Sequence, residues 1–158
     1  MIVLDTNVLL EPLRPTPDRA VVTWLDAQSI TTLYVTAISL AEIRYGLAAL
    51  PAGRRRTALV TRFENEVVPL FEGRVLAFDE RAAGAYATLR ARMRATGHAI
   101  GDLDALIAAI ASSYGFTVAT RDVRPFESAG LSVINPFSLV DIAYHEADQP
   151  TGPERISR

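Results

Sequence analysis

Ile2-Val3-Leu4-Asp5-Thr6-Asn7-Val8 is the stretch on which the fold turns. Three consecutive apolar residues, two of them β-branched, read as a short strand buried on both faces. Asp5 closes the run, and Thr6-Asn7 begins a polar turn. The same pattern returns further along at Leu33-Tyr34-Val35, at Gly73-Arg74-Val75-Leu76-Ala77-Phe78-Asp79, at Phe116 to Ala119 and at Leu131 to Ile134. Helical stretches separate these runs. Short apolar strands alternating with helices predict βαβ units. The expected fold is therefore α/β, with a central, mostly parallel sheet of about five strands and helices on both faces.

The connecting segments carry their own punctuation. Asn7 is expected to cap a short helix before Glu11-Pro12, and Pro12, Pro15 and Pro17 mark a turn-rich connection. Asp18 starts a helix through Trp24 and Leu25. Thr36 or Ser39 caps a helix from Ile38 to Leu50, which Pro51-Ala52-Gly53 stops. An amphipathic segment runs from Arg54 to Leu70, with an interruption near Pro69. Further helices are expected from Glu80 to Thr96, ending at Gly97, and from Asp102 to Ser113, ending before Gly115. A last helix is expected over Phe137 to Tyr144. Residues 1–144 read as one domain, and 145–158 as a polar, disordered tail.

Composition narrows the classes. Of 158 residues, 49% are apolar and 22% charged, the balance of a soluble globular chain. The absence of cysteine excludes a disulfide framework and any thiolate site. Met1 to Asp5 does not read as a signal peptide, and no apolar run approaches the ~20 residues of a membrane span. A cytoplasmic protein is expected. The net charge of −2 argues against nucleic-acid binding by bulk positive charge, though not against local cations around an acidic centre. All sixteen basic residues are arginine, a chain-wide bias that points to no particular site.

Four acids stand out. Asp5 follows the first strand and Asp122 follows the fourth, at the strand ends where open α/β sheets bind ligands. Glu42 shares a helical face with Ile38, Ala41, Tyr45 and Ala49, and Asp104 shares one with Ile107, Ala108 and Ala111. Glutamate on an apolar stripe needs a partner, and Arg44 is the alternative to a functional one. Asp102 is the expected N-cap, which leaves Asp104 as the site residue. Two carboxylates ~4–5 Å apart repel by roughly 3–4 kcal/mol at an effective dielectric of about 20. Four in one cleft require protons or divalent cations, and an all-oxygen donor set suits Mg²⁺ or Mn²⁺. Thr6, Asn7 and Thr120 lie at the same expected edge and can support the carboxylates, with simple capping the equal alternative for Asn7. Arg121 and Arg124 flank Asp122 and are the expected phosphate contacts.

Other chemistry is poorly supported. Two lone histidines, His98 and His145, build no Ser-His-Asp or Cys-His arrangement. No phosphate-binding glycine motif is present. An aspartyl-phosphate phosphohydrolase would want a second aspartate at position 7, which is Asn7. A phosphoacceptor signalling domain would want a lysine by the acids, and there is none.

At this point the chain resembles the PIN-domain ribonucleases, specifically the VapC- or FitB-type toxins of bacterial type II toxin–antitoxin pairs. The matching residues are Ile2-Val3-Leu4-Asp5-Thr6-Asn7-Val8, then Thr36-Ala37-Ile38-Ser39-Leu40-Ala41-Glu42-Ile43-Arg44-Tyr45-Gly46. Asp104-Ala105-Leu106-Ile107-Ala108-Ala109 and Val118-Ala119-Thr120-Arg121-Asp122 follow in order. Glu11-Pro12-Leu13-Arg14-Pro15 and Asn135-Pro136 resemble the FitB-type subgroup. The resemblance implies a catalytic metal site at Asp5, Glu42, Asp104 and Asp122, holding one or two Mg²⁺ or Mn²⁺ ions, with a hydroxyl at Thr120. It implies hydrolysis of RNA by metal-activated water, a homodimer, and a cognate antitoxin that blocks the site. Operator DNA would be read by the antitoxin within a larger toxin–antitoxin complex. A PIN-fold binding module without nuclease activity is the alternative, against which the presence of all four acids speaks.

Overall fold

The computed structural model describes residues 1–138. Its elements are β1 (Ile2–Leu4), α1 (Thr6–Leu10), α2 (Arg19–Asp26), β2 (Leu33–Thr36), α3 (Ala37–Ala49) and α4 (Arg54–Arg62), then β3 (Val75–Leu76), α5 (Glu80–Ala95), α6 (Asp102–Tyr114), β4 (Thr117–Ala119), α7 (Val123–Ser128) and β5 (Val133–Ile134). The five strands form one sheet in the order β3-β2-β1-β4-β5, and every pairing is parallel. Ile2 lies in register with Leu33 on one side and Thr117 on the other. β1 is thus the central strand, which explains its unbroken apolar sequence.

Strand alternation sends side chains into two cores. Val3 and Val118 face a layer that contains Met93, Ile107, Ile110 and Phe126. Leu4, Val35 and Ala119 face the opposite layer, with Val8, Val21, Ile43 and Phe63. Helices therefore cover both faces, as the alternation of strands and helices predicts. Each such buried side chain contributes about 1.5–3 kcal/mol relative to exposure.

The differences from expectation are local. The third strand is two residues long rather than seven. It lies at the sheet's edge and pairs only Val75 with Val35 and Leu76 with Thr36. The Arg54–Leu70 segment is helical only to Arg62, then forms a π-turn over Phe63–Val67 and a 3₁₀ turn over Val68–Phe71. Pro69 has no N–H for a regular turn, and the change of pitch buries both Phe63 and Phe71. Asp5, not Asn7, caps α1, accepting from the Thr6 N–H at 2.8 Å. Gly101, not Asp102, is the N-cap of α6. Of the helix expected over 137–144, Phe137 and Ser138 belong to a 3₁₀ turn, Pro136–Ser138; the rest, with the expected tail, lies outside the described residues.

Candidate active site

The strand order makes β1 and β4 the pair at which the chain reverses its direction of travel across the sheet. β2 and β3 add on one side of β1, and β4 and β5 on the other. Open α/β sheets place their ligand crevice at the carboxyl ends of such a pair. Asp5 leaves β1 there and Thr120 leaves β4, and Thr120 donates to Asp5 Oδ2 at 2.7 Å.

A polar network radiates from that bond. Asn7 Nδ2 donates to Asp5 Oδ2 at 2.8 Å and to Thr120 Oγ1 at 3.1 Å. The Thr6 N–H donates to Asp5 Oδ1, and the Thr6 hydroxyl donates to Glu42 Oε2 at 2.6 Å. Thr120 Oγ1 also accepts from the Asp122 N–H at 3.0 Å, and Asn7 Oδ1 accepts from the Arg121 N–H at 3.1 Å. Asp5, Glu42 and Asp122 are therefore joined through Thr6, Asn7 and Thr120. Asn7 holds this network together instead of capping a helix.

α6 supplies the fourth acid. Ile107, Ala108 and Ala111 are wholly buried, so the face expected for Asp104 is the core-facing one. Among the described residues no donor meets the Asp104 carboxylate. Burial, and then the charges of Asp5, Glu42 and Asp122, push its pKa up to about 6. Burial also raises Asp5, against the lowering effect of its bonds from Thr120 and Thr6, with Glu42 and Asp122 adding to the rise. The four acids thus share one electrostatic environment. Among the described residues no three acidic or histidine groups converge at ligating separation. The donor set is all oxygen, and carries an excess of negative charge that a divalent cation would relieve.

The remaining candidates fall differently. Glu42 is half-buried, but the stripe named for it is not the buried one. Tyr45 is 76% exposed, and Ala41 and Ala49 are also exposed, while Ser39, Leu40 and Ile43 face inward. Arg44 pairs with Glu64 at 2.8 Å and not with Glu42. Asp102 is exposed and pairs with Arg90 at 3.3 Å. Arg124 is exposed on α7. The Arg121 guanidinium stacks 3.9 Å from the Phe137 ring and reaches Glu11 at 3.5 Å. Glu11 is the residue that sequence reading passed over as part of a turn. It is only 3% exposed, and accepts from the Asp18 N–H at 2.9 Å and from Arg14 at 3.1 Å. Nothing in a Glu-Pro turn signals that burial.

An α/β domain with Asp5 and Asp122 at the carboxyl ends of its two central strands, and Glu42 and Asp104 beside them, has the framework of a hydrolase acting on phosphate esters. The PIN-domain family model matches residues 2–130. The chain is 56% identical over 137 residues to the VapC ribonuclease Y4jK of Sinorhizobium fredii, a match covering 87% of this chain and 98% of that protein. It is 45% identical to the toxin FitB of Neisseria gonorrhoeae, covering 87% and 99%. The solved structure of FitAB bound to an IR36 DNA fragment contains a chain that superposes with a TM-score of 0.85 at 45% identity, over 89% of this chain and 98% of that one. The chain belongs to the PIN-domain family, in its branch of VapC- and FitB-type toxins.

Proposed function

We propose that this chain is an endoribonuclease toxin, neutralised by an antitoxin, whose reaction depends on Mg²⁺ or Mn²⁺ held by Asp5, Glu42, Asp104 and Asp122. The observation that carries the metal assignment is the bonded cluster at the strand ends, where Thr6 joins Glu42 to Asp5 and Thr120 joins Asp5 to the Asp122 backbone. Asp104 has its pKa pushed up to about 6 by burial and three neighbouring carboxylates, and among the described residues no cation of the chain relieves it. A divalent ion held there would supply Lewis-acid polarisation of the scissile phosphate and a lowered pKa for an attacking water.

The chain's own residues prepare that chemistry. Thr120 and Asn7 fix both the position and the rotamer of Asp5, and Thr6 holds Glu42 beside it. Thr120 also accepts from the Asp122 backbone N–H, so one hydroxyl ties the two strand-end acids together. Arg124 is the proposed phosphate contact on α7. Arg121, the other proposed phosphate contact, places its guanidinium over the Phe137 ring and 3.5 Å from Glu11, and its backbone N–H donates to Asn7.

The toxin names of the relatives, and the FitAB–DNA complex, support an antitoxin partner. A homodimer and a larger toxin–antitoxin assembly, with operator DNA held through the antitoxin, complete the proposal. Residues 1–144 form the proposed nuclease domain. No helix among the described residues is long and apolar enough to cross a membrane. Incubating purified protein with bacterial tRNA, ribosomal RNA and messenger RNA, with EDTA or with added Mg²⁺ or Mn²⁺, tests the reading. Discrete cleavage that requires the cation and disappears in Asp5→Asn is expected; cleavage that persists in EDTA refutes the metal assignment.

A further inference from the structure

A cavity of about 540 Å³ opens at one end of the α5–α6 hairpin, lined by Arg90, Met93, Arg94, His98, Ala99 and Ile100. The hairpin's geometry places it. Arg81, near the start of α5, donates to the carbonyl of Ser113 near the end of α6. Arg90, in the second half of α5, donates to the Ile100 carbonyl at 3.1 Å and pairs with Asp102 at 3.3 Å. The two helices are therefore antiparallel, and α5 ends where α6 begins, at the end that carries Asp104. Ile100 lines the cavity, and its neighbour Gly101 is so near the acid that a Cβ there would stand 3.1 Å from Asp104 Oδ2. Gly101 is three residue steps from His98, at most about 11 Å of chain.

The cavity wall is held in shape. Gly97 takes a left-handed conformation, φ +69°, and the His98 N–H closes on the Met93 carbonyl at 3.0 Å. His98 Nδ1 lies 3.0 Å from Thr96 Oγ1, which leaves an exposed imidazole face. Met93 and Ile100 make an apolar floor. Arg94 is exposed, and among the described residues its guanidinium has no acceptor. Arg90, by contrast, is already engaged.

An acidic centre repels the phosphates it is meant to cut, and a chain of net charge −2 cannot draw RNA by bulk charge. Cations must therefore flank the carboxylates locally; beside Arg124 on α7, Arg121 is partly engaged, over the Phe137 ring and 3.5 Å from Glu11. The carbonyl end of α5 gives an anion no help, so the attraction has to come from side chains. A guanidinium without a partner suits a phosphate. An exposed histidine ring suits an unpaired base, which RNA-binding proteins commonly stack on aromatic side chains.

We propose that Arg94 and His98 form a subsite for single-stranded RNA beside the carboxylate cluster, Arg94 taking a backbone phosphate and His98 stacking a base a nucleotide or two from the cleaved bond. This rests on the ribonuclease reading. The test uses Asp5→Asn as the non-cleaving parent and a fluorescein-labelled single-stranded RNA of mixed sequence. Binding is measured by anisotropy over a series of salt concentrations. Adding Arg94→Gln weakens binding roughly tenfold and lowers the slope of log K against log salt by about 0.7, one phosphate's worth. Arg94→Lys keeps the slope, and His98→Ala weakens binding at an unchanged slope. Affinity and slope equal to the parent's in both Arg94→Gln and His98→Ala overturn the subsite alone. A parent that binds no RNA, with a wild type that cuts none, overturns the ribonuclease reading and the subsite with it.

Discussion

Replacing Asp104 by asparagine stabilises the metal-free protein at neutral pH. The carboxyl is raised from 3.8 to about 6 by burial and by Asp5, Glu42 and Asp122. Each pKa unit corresponds to 1.36 kcal/mol, so a rise of about two units corresponds to roughly 3 kcal/mol of disfavoured charge. Asp104 is half-buried, and water and salt screen a good part of that, leaving about 1–2 kcal/mol. The sign follows from the direction of the shift. The folded pKa lies above the unfolded one, so Asp104 contributes its full stability only below about pH 4 and loses it as pH rises through 6. Asparagine has the same shape, carries no charge and forfeits no hydrogen bond that the carboxylate makes among the described residues. The assay is thermal unfolding in EDTA of wild type and Asp104→Asn at pH 4.0 and pH 7.5. At pH 7.5 the variant melts about 2–8 °C higher, taking 2–4 °C per kcal/mol for a chain of this size. At pH 4.0 the two nearly coincide. A variant no more stable than wild type at pH 7.5, or a gap of equal size at both pH values, refutes the reasoning.

Three further outcomes follow from the same geometry. In EDTA-treated protein, adding Mn²⁺ at a hundred times its dissociation constant stabilises the wild type by about 2.7 kcal/mol; the gain shrinks sharply in Glu42→Gln, and an equal gain in both would remove Glu42 from the ligand set. Thr120→Val keeps the shape but deletes the buried hydroxyl that serves Asp5, Asn7 and Asp122, and costs about 1–3 kcal/mol in urea unfolding; an unchanged midpoint would mean that the network is not held by that group. Glu11→Gln weakens the charged bonds to Arg14 and Arg121, and a double-mutant cycle with Arg121→Gln gives a coupling of at least 0.5 kcal/mol, whereas strict additivity would show the pair to be independent.

The sheet was legible because its central strand must be buried on both sides, and Ile2-Val3-Leu4 states that without ambiguity. Edge strands carry a weaker signal. β3 satisfies its pairing with Val75 and Leu76 alone, so the surrounding residues do not reveal where it stops. Asp5 and Asp122 could be placed from their position after strands, and the face of Asp104 from helical spacing. Glu42 could be picked out, but α3 carries small or apolar residues on nearly every side, and periodicity alone chose the face that holds the exposed Tyr45. Capping was misread twice, at Asn7 and Asp102, because the chain takes its caps from Asp5 and from a glycine without a side-chain bond. Contacts far apart in sequence were not legible. Glu11 meets Arg121 across 110 residues, and no local pattern encodes that meeting.

The central claim is that four carboxylates of a PIN-domain fold make this chain a toxin that cuts RNA. The most direct measurement is matched expression of wild type and Asp5→Asn in a bacterium, with folding of both confirmed and RNA 5′ ends mapped across the transcriptome. The account predicts growth arrest and new, discrete RNA ends from the wild type alone. Arrest with identical ends from both proteins, or a folded wild type that produces neither arrest nor new ends, would contradict it.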